Sequence, residues 1–251
     1  MVAKRIVACL DVHEGRVVKG VQFENLKVQG DPASLAERYG QEGADEVCFL
    51  DISATVEGRK TLVETVRETA QRLFVPLTVG GGVRTVEDAK NLLRAGADKV
   101  AVNTAAFEDP PLMRAIARDY GSQCVVCAID AKREGNAWKV YTHGGRTATT
   151  HEAVAWAKKA TEFGAGEILL TSIDADGTRK GYDLALTAAV AGAVRVPVVA
   201  SGGCGSPEDA LGALTKGQAD AALVASLFHS GEYTPRSLKQ AITGKGVELR
   251  P

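Results

Sequence analysis

Asp11 and Asp130 are the residues of this 251-residue chain best placed to do chemistry. Each closes an apolar run, Val7-Ala8-Cys9-Leu10-Asp11 and Val126-Cys127-Ala128-Ile129-Asp130, and each is followed by a loop. A carboxylate at the end of a buried strand is costly unless it is paired or used. One alone could cap a loop or join a local ion pair. Two at matching places, 119 residues apart, suggest a general acid and a general base whose pKa values are separated by their surroundings. No histidine cluster accompanies them, so a metal site is not expected.

Glycine-rich strand ends come next. Gly80-Gly81-Gly82 and Ser201-Gly202-Gly203 each follow an apolar run, and the next run in each half ends in a hydroxyl residue, Asn103-Thr104 or Ala225-Ser226. Glycines let backbone N–H groups approach an anion, and a following helix can point its first N–H groups at the same charge. The duplication suggests an elongated substrate with a phosphate at each end. Asp51, Thr171 and Asp176-Gly177 also follow strands, where they could hold substrate hydroxyls or shape their loops. Lys19 lies in a long segment from Gly15 to Gly30 that reads as a lid able to close over a phosphate. At the other ends of the strands, Arg5, Glu46, Lys99 and Glu167 alternate in sign. They could form a salt-bridged floor, either as plain closure or as a gate for a small molecule entering from below.

The elements that must position these residues alternate regularly. Strand-length runs fall near 5–11, 46–51, 77–80, 99–102, 125–130, 167–171, 198–201 and 221–225. Amphipathic segments run from Pro32 to Gly43, Leu62 to Leu73, Val86 to Ala95, Pro111 to Asp119, Glu152 to Gly164, Leu184 to Ala193, Pro207 to Lys216 and Pro235 to Thr243. Asp31-Pro32, Ser206-Pro207 and Thr234-Pro235 read as helix starts, and Gly43, Gly96, Gly164 and Gly217 as stops. The pattern is that of an α/β protein, a (β/α)8 TIM barrel, with a doubly wound open sheet as the alternative. Glu87-Asp88-Ala89 recurs as Glu208-Asp209-Ala210, and Val75-Pro76 with its glycines recurs as Val196-Pro197 at the same offset of 121. The expectation is one domain over 1–251, built from two half-barrels of about 1–122 and 123–251. Strands 1 and 5 of a closed barrel lie opposite each other, so Asp11 and Asp130 would face across the C-terminal mouth.

Composition narrows the class. Hydrophobic residues make up 45% and the net charge is −1. That supports a full core and disfavours binding driven by phosphate neutralisation of nucleic acid. No apolar run reaches membrane-span length, and Met1 leads directly into a strand with no visible signal peptide, so a cytoplasmic protein is expected. Five cysteines do not make a disulfide framework. Cys124 and Cys127, placed in one strand, would point to opposite faces, so they read as buried thiols and not as a redox or zinc pair.

The motifs jointly resemble one family. Ala8-Cys9-Leu10-Asp11-Val12, Gly15-Arg16-Val17-Val18-Lys19-Gly20, Val79-Gly80-Gly81-Gly82-Val83-Arg84, Val102-Asn103-Thr104-Ala105-Ala106 and Glu167-Ile168-Leu169-Leu170-Thr171-Ser172-Ile173-Asp174-Ala175-Asp176-Gly177 resemble the HisF-type cyclase subunits of imidazole glycerol phosphate synthase. The resemblance runs to about Gln240. It implies that ammonia reacts with a phosphoribulosyl aminoimidazole substrate (PRFAR) to give imidazole glycerol phosphate and AICAR, without a cofactor. It implies Asp11 and Asp130 as the acid/base pair, Gly82, Asn103 and Thr104 at one phosphate, and Gly177, Gly203 and Ser226 at the other. It further implies a glutaminase subunit on the floor that delivers ammonia past Arg5, Glu46, Lys99 and Glu167. Cys204 and the stretch Thr142 to Thr150 depart from the pattern. The alternatives are the sister isomerase, which shares the paired acids and phosphate sites but needs no gate, and a non-catalytic phosphate-binding scaffold.

Overall fold

In the first strand, odd-numbered residues face the inside of a cylinder and even-numbered residues face a layer of helices. Val7 and Cys9 pack in an inner cluster, whereas Ile6, Ala8, Leu10 and Val12 pack in an outer one. This period of two repeats in every barrel strand and produces two cores. The computed structural model describes residues 3–21, 24–52, 54 and 61–250. Its eight barrel strands are β1 (Arg5–His13), β2 (Glu46–Asp51), β3 (Leu77–Gly80), β4 (Lys99–Val102), β5 (Val125–Glu134), β6 (Glu167–Ser172), β7 (Val198–Ser201) and β8 (Ala221–Val224). Neighbours pair in parallel in chain order, and β8 returns to β1 in register Arg5↔Ala221 through Ala8↔Val224. The sheet is therefore closed. The open doubly wound alternative is excluded.

Among the described residues eight helices cover the cylinder: α1 (Pro32–Gln41), α2 (Val63–Arg72), α3 (Val86–Arg94), α4 (Pro111–Tyr120), α5 (Ala153–Glu162), α6 (Leu184–Ala191), α7 (Pro207–Leu214) and α8 (Pro235–Ile242). The expected starts are capped. Asp31 accepts from Ser34 N–H, Ser206 from Asp209 N–H and Thr234 from Ser237 N–H, each satisfying an otherwise orphaned donor. Gly43, Gly96 and Gly164 adopt positive φ at helix ends, as expected. Gly217 does not. Gln218 takes the left-handed conformation there, and a Cβ on Gly217 would lie 2.6 Å from the Ala213 carbonyl oxygen.

Local bonding recurs between the halves. Asp98 accepts from Leu77 N–H at the start of β3, and Asp220 accepts from Val198 N–H at the start of β7. Thr85 and Asp88 cap α3 as Ser206 and Asp209 cap α7.

The structure departs from the sequence reading at several points. The segment read as a lid forms an antiparallel ribbon, Arg16–Val21 and Glu24–Gly30, with Arg16–Val21 paired to the end of β1. Residues 22 and 23 lie outside the described residues. After β5 a second ribbon, Ala137–Thr142 and Thr147–Glu152, stands at the corresponding place. Short helices, Thr104–Glu108 and Ser226–His229, follow β4 and β8 ahead of the helices expected from Pro111 and Pro235. Cys124 ends a 3-10 turn and is not in the strand, while Cys127 faces the outer core, and all five cysteines are free. The tail also has a place. Leu249 bridges Lys4, and the Lys4 N–H donates to the Glu248 carbonyl. Among the described residues no helix is long and apolar enough to cross a membrane.

Candidate active site

The inward alternation of β1 and β5 carries Asp11 and Asp130 to the C-terminal mouth, where both line one cavity of about 250 Å³. Lys19 reaches in from the first ribbon. Its ammonium donates to Asp11 Oδ2 at 2.9 Å and lies 3.5 Å from Asp176 Oδ1. Burial works against the Lys19 charge, but the Asp11 and Asp176 carboxylates outweigh it and hold the ammonium above its usual pKa range. Burial also pushes Asp176 up, opposed by Lys19 and assisted by Asp11. The Cys9 thiol, one inward step below, contacts Asp11 Oδ1 at 3.4 Å.

Asp130 lives in different surroundings. The Asn103 amide donates to its Oδ2 at 2.9 Å. Burial raises its pKa to about 7, a rise that the Asn103 bond moderates and the nearby Asp176 charge reinforces. One cavity thus holds a carboxylate paired with a cation and a second carboxyl group poised to hold or release a proton near neutrality.

The glycines have backbone reasons to be there. At Gly81, with φ +94°, a Cβ would lie 2.0 Å from the Asp51 carbonyl oxygen; at Gly203, with φ +104°, it would lie 2.1 Å from that of Gly181. The strand ends can close over neighbouring backbone only without a side chain. Gly177, Gly203 and Ser226 line the mouth cavity on the β6–β8 side. Gly82 lines an adjoining recess of about 310 Å³, which shares Asn103 and Thr104 with the cavity. Thr171 faces the cavity from β6. Asp51 is buried in the wall, where its Oδ1 accepts from Ala54 N–H, a loop-shaping contact.

The floor is a closed ring of charge. Arg5 donates to Glu46 at 2.7 Å and to Glu167, and Lys99 donates to Glu46 at 2.9 Å and to Glu167 at 2.6 Å. Both carboxylates are buried, and Thr78 adds a hydroxyl to Glu46. Burial opposes the Arg5 charge, yet Glu167 and Glu46 raise its pKa overall.

A family model described as "Histidine biosynthesis protein" matches residues 5–234. The "Imidazole glycerol phosphate synthase subunit HisF" of Metallosphaera sedula is 60% identical over 250 residues, with 100% of both chains covered. Proteins of the same description from Myxococcus xanthus and Dehalococcoides mccartyi are 58% and 57% identical, each comparison covering 100% of this chain and 99% of the relative. The chain belongs to the HisF family. It is accordingly an enzyme of histidine biosynthesis, of the cyclase-subunit type.

For a HisF-family chain, the site residues named from sequence fall into three groups in space. Asp11, Lys19, Thr171, Asp176, Gly177, Gly203, Ser226 and Asp130 share the mouth cavity with Asn103, Thr104 and Asp51. Gly82 sits in the recess beside it. Arg5, Glu46, Lys99 and Glu167 form the floor. Sequence reasoning missed three contacts. Thr78 is the second residue of β3, whose ordinary strand pattern hides its hydroxyl's use. The Asn103 side chain bonds Asp130. His229, bonded to Tyr39 at 2.7 Å, has its pKa lowered to about 4 by burial, with the Asp11 charge acting in the opposite sense. No motif announces the contacts of Thr78 or His229.

Proposed function

We propose that the chain condenses ammonia with PRFAR and splits the adduct into imidazole glycerol phosphate and AICAR, with Asp130 as general acid and Asp11 as general base. The observation that carries this reading is the asymmetry of the two carboxyl groups in one cavity: Asp130 is buried with the Asn103 amide on its Oδ2, and burial raises its pKa to about 7, while Asp11 is ion-paired with Lys19. Ammonia adding to the substrate ketone expels water as the imine forms. An acid must protonate the departing oxygen and a base must take a proton from nitrogen. The same pair then assists C–N cleavage and ring closure. Gly82, Asn103 and Thr104 hold one phosphate, and Gly177, Gly203 and Ser226 the other, so the bisphosphate spans the mouth with its reacting carbon between the aspartates. Lys19, Asp51, Thr171 and Asp176 border the intervening chain.

Ammonia enters from the opposite end. A glutaminase subunit docks on the floor, and the ring of Arg5, Glu46, Lys99 and Glu167 gates passage into the barrel. Above the ring the inside of the barrel is lined by Val7, Val126, Leu169 and Val199, so a small neutral molecule passes more readily than an ion.

The test is turnover of purified chain with PRFAR and an ammonium salt, without partner. Loss of PRFAR with release of AICAR supports the reading. Formation of PRFAR from its ring-closed precursor would make the chain an isomerase, and tight bisphosphate binding without turnover of either would make it a scaffold.

A further inference from the structure

We infer that Arg146 supplies the cation for the substrate phosphate on the β3–β4 side of the mouth, an inference that rests on the bisphosphate reading above. The argument begins with charge. Three long cationic side chains among the described residues line the mouth cavity: Lys19, Arg146 and Arg179. Lys19 is held by Asp11 and Asp176, and Arg179 is held by Glu232 at 2.6 Å. Arg146 has no carboxylate partner among the described residues, although it borders the same space. A guanidinium without a partner beside a cavity meant for an anion is a binding group in waiting.

Its position selects the phosphate. Arg146 sits at the tip of the ribbon that follows β5, where His143, Gly144 and Gly145 turn in succession through positive φ, and the Arg146 N–H donates to the Thr142 carbonyl at 3.1 Å. The tip is anchored to the β4 end: the His143 N–H donates to Thr104 Oγ1 at 2.9 Å. His143 also lines the recess that holds Gly82, Asn103 and Thr104. Arg179 follows β6 instead, on the other side of the mouth.

The local donors also leave a deficit that Arg146 fills. The Asn103 amide is engaged by Asp130. Thr104 already accepts from His143 and has one O–H to donate. Arg84 borders the recess but is already engaged by a neighbour, and Glu108 and Asp109 border it too and repel a dianion. A phosphate there needs a fixed positive charge, and a planar guanidinium can give it two parallel hydrogen bonds. The ribbon is thus a binding element.

The experiment is steady-state turnover of the full chain at saturating ammonium, comparing wild type with Arg146→Ala and Arg146→Lys. The side chain is exposed and its turn is held by backbone bonds, so both variants keep the fold. Arg146→Ala should raise KM for the bisphosphate by about 10- to 100-fold, the range for losing a charge-assisted hydrogen bond, with kcat changed by less than about threefold. Arg146→Lys should recover part of the loss, since it restores charge without the fork. A KM for Arg146→Ala within about twofold of wild type, or a fall in kcat alone, would overturn the assignment. Were wild type itself inactive, the reaction reading would fail separately. Calorimetric binding of inorganic phosphate would then decide this inference: weaker in Arg146→Ala supports it, and equal affinity refutes it.

Discussion

Burial of Asp130 costs the folded protein stability at neutral pH and above. Its pKa rises from 3.8 to about 7 on folding, chiefly through burial. The native state therefore binds a proton that the unfolded chain releases within that window. The stability this contributes is present at low pH and is lost as pH rises through about 7. Asp130→Asn keeps an acceptor for the Asn103 amide and removes the buried charge. The variant should be more stable than wild type at pH 8, by about 1–3 kcal/mol, and close to it at pH 4. Urea unfolding at both pH values checks this; equal differences at the two would mean that Asp130 is not the titrating group. As the proposed general acid, the same group should give activity a pH dependence. At constant free ammonia, turnover should fall above about pH 7 as the acid form is lost. At this scale the two aspartates were legible, because an acid closing an apolar run is conspicuous. The Asn103–Asp130 bond was not, since nothing in the order of residues says that a group on one strand end will spend its amide on the next.

The floor ring and the ribbons show what the element scale adds. Arg5, Glu46, Lys99 and Glu167 begin four strands, and parallel registers such as Val7↔Glu46 and Glu167↔Val126 bring them to one level. Arg5→Ala leaves two buried carboxylates sharing Lys99. It should destabilise the chain by about 3 kcal/mol, seen as a lower urea midpoint, because a broken buried pair leaves uncompensated charge. As a gate variant it should also reduce glutamine-driven turnover in the complex while leaving ammonium-driven turnover per folded molecule near wild type. Equal losses with both nitrogen sources would remove the gate role. The ribbons were missed although their turns carried a signal. Glu14 and Gly15 both have positive φ between the paired residues His13 and Arg16, the geometry of a two-residue hairpin. The long gap to the next apolar run outweighed that signal and suggested a lid.

For the whole molecule, the decisive act is closure of β8 onto β1. The last helix reinforces it. Lys239 of α8 donates to Asp45 Oδ1 at 2.6 Å, and the other oxygen of Asp45 accepts from Ile6 N–H of β1 at 2.7 Å. A residue near the chain's end thus ties down one just before β2 and, through it, the first strand. Both partners are buried. Lys239→Ala should cost about 3–5 kcal/mol, lowering the urea midpoint without changing its slope, while activity per folded molecule is kept. A midpoint within error of wild type would show the pair to be dispensable. Periodicity and the repeated Glu-Asp-Ala and glycine motifs made the eight-fold alternation readable. This long-range pair was not readable, because its partners lie 194 positions apart and neither sits in a motif.

The most direct measurement of the central claim is single-turnover consumption of PRFAR at saturating ammonium by wild type, Asp11→Asn and Asp130→Asn. The paired acid/base account predicts a fall of about 100-fold or more in each variant with bisphosphate binding retained. Turnover near the wild-type rate in either folded variant would contradict it.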